Sequence, residues 1–328
     1  MKRDLKLDSL KGTLVITVIL GHISFASFNL VEPTIYKVIR SFIYFFHMPL
    51  FFAVSTLFIK ESKQWFLNRA KIILIPYFFW FLFQNRNLLI DDVLQFIINL
   101  FIGNWSSTKS IIWFLPALFL LNLLVFYFKR SNSFFKNILF VFSLVVFLLS
   151  TKIIEIHEFI PFGIDVALYM FVLINFIGIL YKNKYLFDKI NSITIIIAII
   201  FSSIMLFYFE PIKTFTKFHA IIDFAQFSVA TTFIGYISFI VLNMSIFILF
   251  FKIPHISFLS LIGKYSFPIF LIHLMVLYKI PMQVEFENPF VNIFFLVVVV
   301  VFSIVFPIIS SKLLMRISTN FKYIGLVK

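Results

Sequence analysis

Residues 42–55 read FIYFFHMPLFFAVS: fourteen positions with no formal charge, one histidine and one proline. A segment apolar on every side has no face to offer water, so it reads as a helix inside a bilayer or a deep core. Working outward, the apolar run extends over 36–59, enough to cross the hydrocarbon layer, which takes about 20 residues. The same arrangement recurs in LVITVILGHISF at 14–25 and PIFLIHLMVL at 268–277, which carry His22 and His273. Ionisable rings inside membrane helices are rare and mark polar sites between helices.

Composition extends this reading to the whole chain. Of 328 residues, 62% are hydrophobic and 13% charged, about half the charge of a soluble domain. The fold class expected is all-α integral membrane, with about ten transmembrane helices. The spans are approximately 12–29, 36–59, 70–88, 111–128, 136–152, 163–181, 190–209, 228–251, 258–279 and 290–313. The segment 92–103 is too short to cross and reads as an interfacial or partly re-entrant helix, and 218–227 reads as a surface segment. Little chain is left for an extramembrane domain, so residues 1–328 read as one transmembrane domain. No small-x-small site follows the first run, so that run reads as an anchor rather than a cleaved leader.

The net charge of +14 lies in short basic clusters between apolar runs. That pattern indicates topology and contact with anionic lipid rather than nucleic acid. With ten spans and an inner N-terminus, 19 of the 28 lysines and arginines fall inside, which predicts both termini in the cytoplasm. Cysteine is absent, which excludes disulfides, thiolate metal sites and cysteine nucleophiles. No HExxH, P-loop or dinucleotide fingerprint occurs, and no metal is expected. The 51 phenylalanines read as packing.

Helical rise places His22 about 16 Å above Lys11 and His47 about 18 Å above the inner boundary, so the two rings should meet at similar depth. His273 falls about 22 Å up. Imidazole is less costly to bury neutral than a fixed charge and can act as general base to an alcohol. A lone buried histidine has the plainer role of an interhelical hydrogen bond. Pro49, Pro116 and Pro268 can kink their helices. Asp8 and Lys11 have ion-pair spacing at the start of the first helix. Tyr36, Tyr44, Asn99, Trp105 and Trp113 could shape an acceptor groove. On the outer face, HEFIPFGID at 157–165, Glu210 and Asp223 could touch a sugar, while His157, His219 and His255 read as non-catalytic.

LDSLKGTLVITVILGHISF at 7–25 is similar to the opening helix of the membrane-bound acyltransferase-3 family. There an arginine precedes the histidine by ten intervening residues; here Lys11 takes that place, with Asp8, Leu10, Gly12 and His22 in register. FIYFFHMPLFFAVS resembles the family's second-helix motif through His47, Pro49 and Ser55, with Thr56 where glycine is usual. IWFLPALFLLNLL at 112–124 and YSFPIFLIHLMVL at 265–277 resemble two later motifs. The likeness runs from about residue 6 to 314.

The resemblance implies an O-acyltransferase of the bacterial cytoplasmic (inner) membrane. It would move an acetyl group from acetyl-CoA to a hydroxyl of a cell-envelope or lipid-linked carbohydrate. On this reading His22 and His47 are catalytic, Lys11 and Ser55 hold the donor, and Asp8, Trp113, His273 and Tyr44 line the acceptor side. The expected partners are acyl-CoA, the sugar acceptor and membrane lipid, and self-association into a homo-oligomer is compatible with the sequence. The alternative is a lipid or polysaccharide translocator without transferase chemistry. A third reading is a scaffold for an envelope-assembly complex.

Overall fold

The computed structural model describes residues 4–28, 30–103, 111–149, 160–209, 229–279 and 288–317, with Phe321, Tyr323, Gly325 and Leu326 beyond. Among these residues the regular structure is entirely helical. The helices are α1 (Leu5–Gly21), α2 (Thr34–Tyr44), α3 (His47–Thr56), α4 (Lys63–Gln84), α5 (Arg86–Asp91), α6 (Val93–Ile102) and α7 (Phe114–Arg130). They continue as α8 (Ser133–Leu148), α9 (Ile164–Lys182), α10 (Ser192–Phe209), α11 (Val229–Lys252), α12 (Ser257–Lys264), α13 (Ser266–Leu274) and α14 (Pro289–Ile317).

Three of these helices begin just after a break, and each carries proline at its third position: Pro49 in α3, Pro116 in α7 and Pro268 in α13. A proline clashes with the carbonyl four residues back and cannot donate to it, so the chain must leave the helix there. Those carbonyls belong to Phe45, Ile112 and Lys264. The interruptions fall beside them: a turn at Phe45–Phe46, a 3-10 turn at Ile111–Trp113, and a 70° bend between α12 and α13.

The lengths of the helices overturn the expected ten spans. Among the described residues, five helical segments are long and apolar enough to cross a bilayer: Thr34–Thr56, Lys63–Gln84, Pro161–Lys182, Phe233–Lys252 and Pro289–Ile317. The bent pair α12–α13 makes a sixth if taken as one crossing. The runs expected at 12–29, 111–128, 136–152 and 190–209 correspond to shorter helices. α1 and α7 have 17 residues and α8 has 16, while the helix from Ser192 is also among the shorter ones. An apolar run in sequence is not one continuous helix when a polar residue closes it. Asp4 caps α1, accepting from the Lys6 and Leu7 amides at 3.1 and 3.3 Å, and the helix ends at Gly21–His22. Asn132 caps α8 through the Phe135 amide at 2.9 Å. The placement of both termini in the cytoplasm was counted over ten crossings and lapses with them. The segment expected to be too short to cross is α6, of 10 residues. Residues 218–227 lie outside the described set. The chain is a multi-spanning helical membrane protein.

The chain divides into two compact units, residues 1–51 with 253–328, and residues 52–252. In the first, α1 crosses α12 with backbone nearly touching backbone. A Cβ on Gly12 would stand 2.0 Å from the Leu259 carbonyl oxygen, and one on Gly263 would stand 1.8 Å from that of Asp8. Lipid tails are as apolar as leucine, so membrane helices associate by close packing, and small residues permit it. Ser9 fixes the crossing: its Oγ accepts from the Ile256 amide at 3.2 Å, ahead of α12. Leu10, Leu14, Val15, Val18 and Ile19 of α1 are fully buried, as are Ile262 and Ile269.

In the second unit α9 is the central helix, with every residue from Asp165 to Ile174 buried. Phe147, Tyr169, Tyr236 and Phe239 form an aromatic cluster beside it, with Phe147 stacked on Tyr169 at 4.6 Å and tilted on Tyr236 at 4.5 Å. Lysines and arginine satisfy free carbonyls where helices end. Lys129 Nζ donates to Ile59 O at 2.6 Å, Arg130 to Glu61 O at 2.9 Å, and Lys252 Nζ to Ile190 O at 2.7 Å. Burial, then the neighbouring Lys182 charge, holds the Lys129 ammonium below the usual lysine range, while Glu61 opposes the shift. Gly103 and Gly163 adopt positive φ at the mouths of α6 and α9, where Cβ carries a penalty.

Candidate functional site

All three histidines of the apolar runs belong to the first unit, and each sits at a helix discontinuity. His22 caps the C-terminus of α1, with φ −100° and ψ 4°. His47 opens α3 directly after the turn at Phe45–Phe46. His273 is the last residue but one of α13, just ahead of a π-helical turn, Met275–Lys279. Wider turns of this kind are frequent at functional positions. The sequence placed His22 and His47 in mid-span; α1 instead starts earlier and stops before His22, and α3 starts at His47.

The rings share one mode of attachment. Nδ1 of His22 lies 2.7 Å from Val18 O, Nδ1 of His47 2.7 Å from Ile43 O, and Nδ1 of His273 2.8 Å from Phe270 O. A carbonyl oxygen only accepts, so these contacts assign the hydrogen of the neutral ring to Nδ1 and leave a basic lone pair on Nε2. The donor end of each ring is thus committed to a carbonyl three or four residues earlier in the chain.

The expected meeting of His22 with His47 takes a different form. The ring packed against His22 is His273, edge-on with centroids 5.4 Å apart. Tyr44 links the other two, with centroids 6.2 Å from His22 and 5.0 Å from His47. Its hydroxyl donates to Gly21 O at 3.0 Å, holding α2 to the end of α1. Tyr36, about two turns earlier in α2, does the same for the adjacent carbonyl, donating to Leu20 O. His22 keeps 9% of its surface exposed, whereas His47 and His273 keep none. His22 is therefore the least enclosed of the three rings.

Other residues singled out from sequence are placed as follows. Asp8 is buried and Lys11 half-buried on α1, Asp8 lying at the glycine crossing. Ser55 and Trp113 belong to the second unit. Trp113 is buried against Phe52 and Phe114, each with centroids 6.5 Å away. Asn99 accepts from Gln95 within α6 at 2.8 Å. Asp165 is buried in the first turn of α9, and His255 is exposed. Trp105, His157, Glu210, His219 and Asp223 lie outside the described residues.

Sequence reading missed Arg69. Its guanidinium reaches Ser55 O at 3.4 Å, and its Nε is buried without a hydrogen-bond partner among the described residues. The signal was an arginine in the second turn of α4, ahead of its apolar stretch, counted only as an inner charge. It also understated His273, whose place follows from Pro268 five residues earlier. Among the described residues no group of three or more His, Asp or Glu side chains is arranged to hold a metal ion.

A family model described as an acyltransferase domain matches residues 4–312. No curated relative and no solved structure matches the chain. The matched segment takes in α1 through most of α14, with all three histidine-bearing breaks. The chain belongs to the acyltransferase-3 family.

Proposed function

We propose that this protein transfers an acetyl group from acetyl-CoA to a hydroxyl of a cell-envelope or lipid-linked carbohydrate, in the bacterial cytoplasmic membrane. The chain would act as a single acyltransferase domain. The observation that carries this reading is His22: the least enclosed imidazole of the three, whose Nδ1 is committed to Val18 O, so that Nε2 would be the base. Family membership supports acyl transfer and a CoA thioester donor in general terms.

In the proposed step the acceptor hydroxyl gives its proton to His22 Nε2 as its oxygen bonds to the thioester carbonyl carbon. The carbon–sulfur bond then breaks, and the proton passes to the departing thiolate. His47, sealed from solvent beyond Tyr44, would orient the site and stabilise developing charge. Lys11 would attract the anionic donor. Ser55 is assigned to the donor on the family resemblance alone. Asp8, Tyr44, Trp113 and His273 would have lesser roles around the acceptor.

The test is transfer of labelled acetyl from acetyl-CoA to a panel of glycosides by protein purified in lipid. Wild-type protein should label a sugar hydroxyl, and His22→Asn, which keeps a donor for Val18 O, should not. Undiminished labelling by folded His22→Asn would remove His22 as the base.

A further inference from the structure

The cations of the second unit gather at one end of it. The stretches 59–63, 129–136 and 182–189, with Lys252, hold nine lysines and arginines against Glu61 and Asp188. Around the other ends of α4, α7 and α9 the balance reverses, with Arg86 against Asp91, Asp92 and Asp165. Contacts join the basic stretches to one another. Phe58, just past α3, meets Tyr181 of α9 with ring centroids 5.8 Å apart. Lys129 Nζ donates to Ile59 O at 2.6 Å and Arg130 to Glu61 O at 2.9 Å, so the two charged heads sit on carbonyls two residues apart.

Lys182 is the third cation of this group. It is exposed at the end of α9 and has no hydrogen bond or ion pair among the described residues. Its charge presses on that of Lys129, with Glu61 opposing. Carbonyls occupy single N–H groups but cancel no charge, and an ammonium has three donors and a guanidinium five. Most of those donors are left for an anion. The surface alongside is apolar: α8 begins three residues after Arg130, and Phe134, Phe135, Ile138 and Phe142 are exposed along it.

We propose that Lys129, Arg130 and Lys182 bind the headgroup phosphate of an anionic phospholipid whose acyl chains lie along α8. The phosphodiester supplies the negative charge that the carbonyls lack and accepts charge-assisted hydrogen bonds from the spare donors. Basic pockets at the ends of membrane helices suit acidic headgroups in this way. The apolar face of α8 favours a lipid over a soluble phosphate, which has no chains to lay on it. The bound lipid fastens the turn before α4 to the ends of α7 and α9. The site stands whether or not the chain transfers acetyl groups.

The test is native mass spectrometry of the full chain in detergent, with phosphatidylglycerol or phosphatidylcholine of the same acyl chains at equal concentration. Wild-type protein should retain one phosphatidylglycerol under conditions that strip phosphatidylcholine. Lys182→Gln, which removes a charge and no hydrogen bond, should weaken that binding about 5-fold, the effect of one lysine near an anionic surface. Arg86→Gln, at the acidic end, should bind as the wild type does. Equal retention of the two lipids by wild-type protein overturns the proposal, and so does Lys182→Gln binding no worse than Arg86→Gln. Inorganic phosphate and coenzyme A, each added in large excess, should leave the lipid bound. Displacement by either would overturn the lipid assignment and give these cations to a soluble phosphate.

Discussion

The two units solve the same packing problem with opposite means. In the second, α4, α9 and α11 run unbroken for 19 to 24 residues, and phenylalanine and tyrosine rings fill the interior. In the first, the elements that carry histidine are interrupted at Phe45–Phe46, at Tyr265 and at His22, and each imidazole Nδ1 is held by a carbonyl three or four residues earlier in the chain. Proline alone does not explain the contrast. Pro76 and Pro307 lie inside continuous α4 and α14. Pro49 and Pro268 stand in the first turn of a new helix, as Pro116 does in the second unit, whereas Pro76 and Pro307 lie well inside theirs. Non-helical backbone at membrane depth persists where polar groups satisfy it.

The largest effect expected is at the glycine crossing. Gly12→Ala or Gly263→Ala would drive a methyl group into carbonyl oxygens of Leu259 or Asp8, backbone atoms that cannot swing aside. Overpacking of this kind costs about 1–3 kcal/mol or more. Gly178 in α9 is the control, since nothing lies within 4 Å of its Cβ position. Gly178→Ala should match or exceed wild-type stability by up to about 1 kcal/mol. Thermal unfolding in detergent measures all three, and equal losses would mean that the crossing is not a tight joint.

Next in size is the chemistry of the rings. His22→Asn should reduce acetyl transfer about 100-fold or more. His47→Asn, which also keeps a donor for its carbonyl, Ile43 O, should lose less, because His47 is remote from any solute. Steady-state kcat/KM on one glycoside gives the order, and a reversed order would exchange the two roles.

The helical membrane character was legible from composition, and the family from four short motifs. The number of crossings was not. Hydropathy along a run does not register the caps at Asp4 and Asn132, nor a proline three residues inside a new helix. His22 and His47 stood out as polar residues in apolar strings, but depth arithmetic assumed straight helices. Once α1 ends at Gly21, the ring beside His22 is set by the α12–α13 bend, a contact across some 250 residues that no local spacing encodes. Arg69 was hidden for a similar reason, since its partner Ser55 lies on a different helix.

Proline replacement probes the breaks themselves. Pro49→Ala restores an N–H that can bond Phe45 O, allowing α2 and α3 to fuse and turning His47 away from Tyr44. Transfer should fall several-fold, by roughly 1 kcal/mol of transition-state free energy, without loss of thermal stability. Pro76→Ala, in a helix already continuous, should leave transfer unchanged and stability equal or higher. If both replacements behave alike, the break before α3 owes nothing to Pro49.

The smallest effect compares two tyrosines with the same local bond and different surroundings. Tyr44 donates to Gly21 O at 3.0 Å between imidazoles; Tyr236 donates to Leu148 O at 3.3 Å between phenylalanines. Replacing either with phenylalanine keeps the ring and removes one hydroxyl–carbonyl bond, worth about 1 kcal/mol. Stability should therefore drop by a similar amount in both. Activity should not. Tyr44→Phe frees the end of α1 on which His22 is mounted, so kcat should fall about two- to fivefold with little change in KM, while Tyr236→Phe transfers acetyl at the wild-type rate. Matched stability with divided activity would locate the precision of the site in the polar joints of the first unit. Equal activities would instead mean that the Gly21 bond is only one more packing contact.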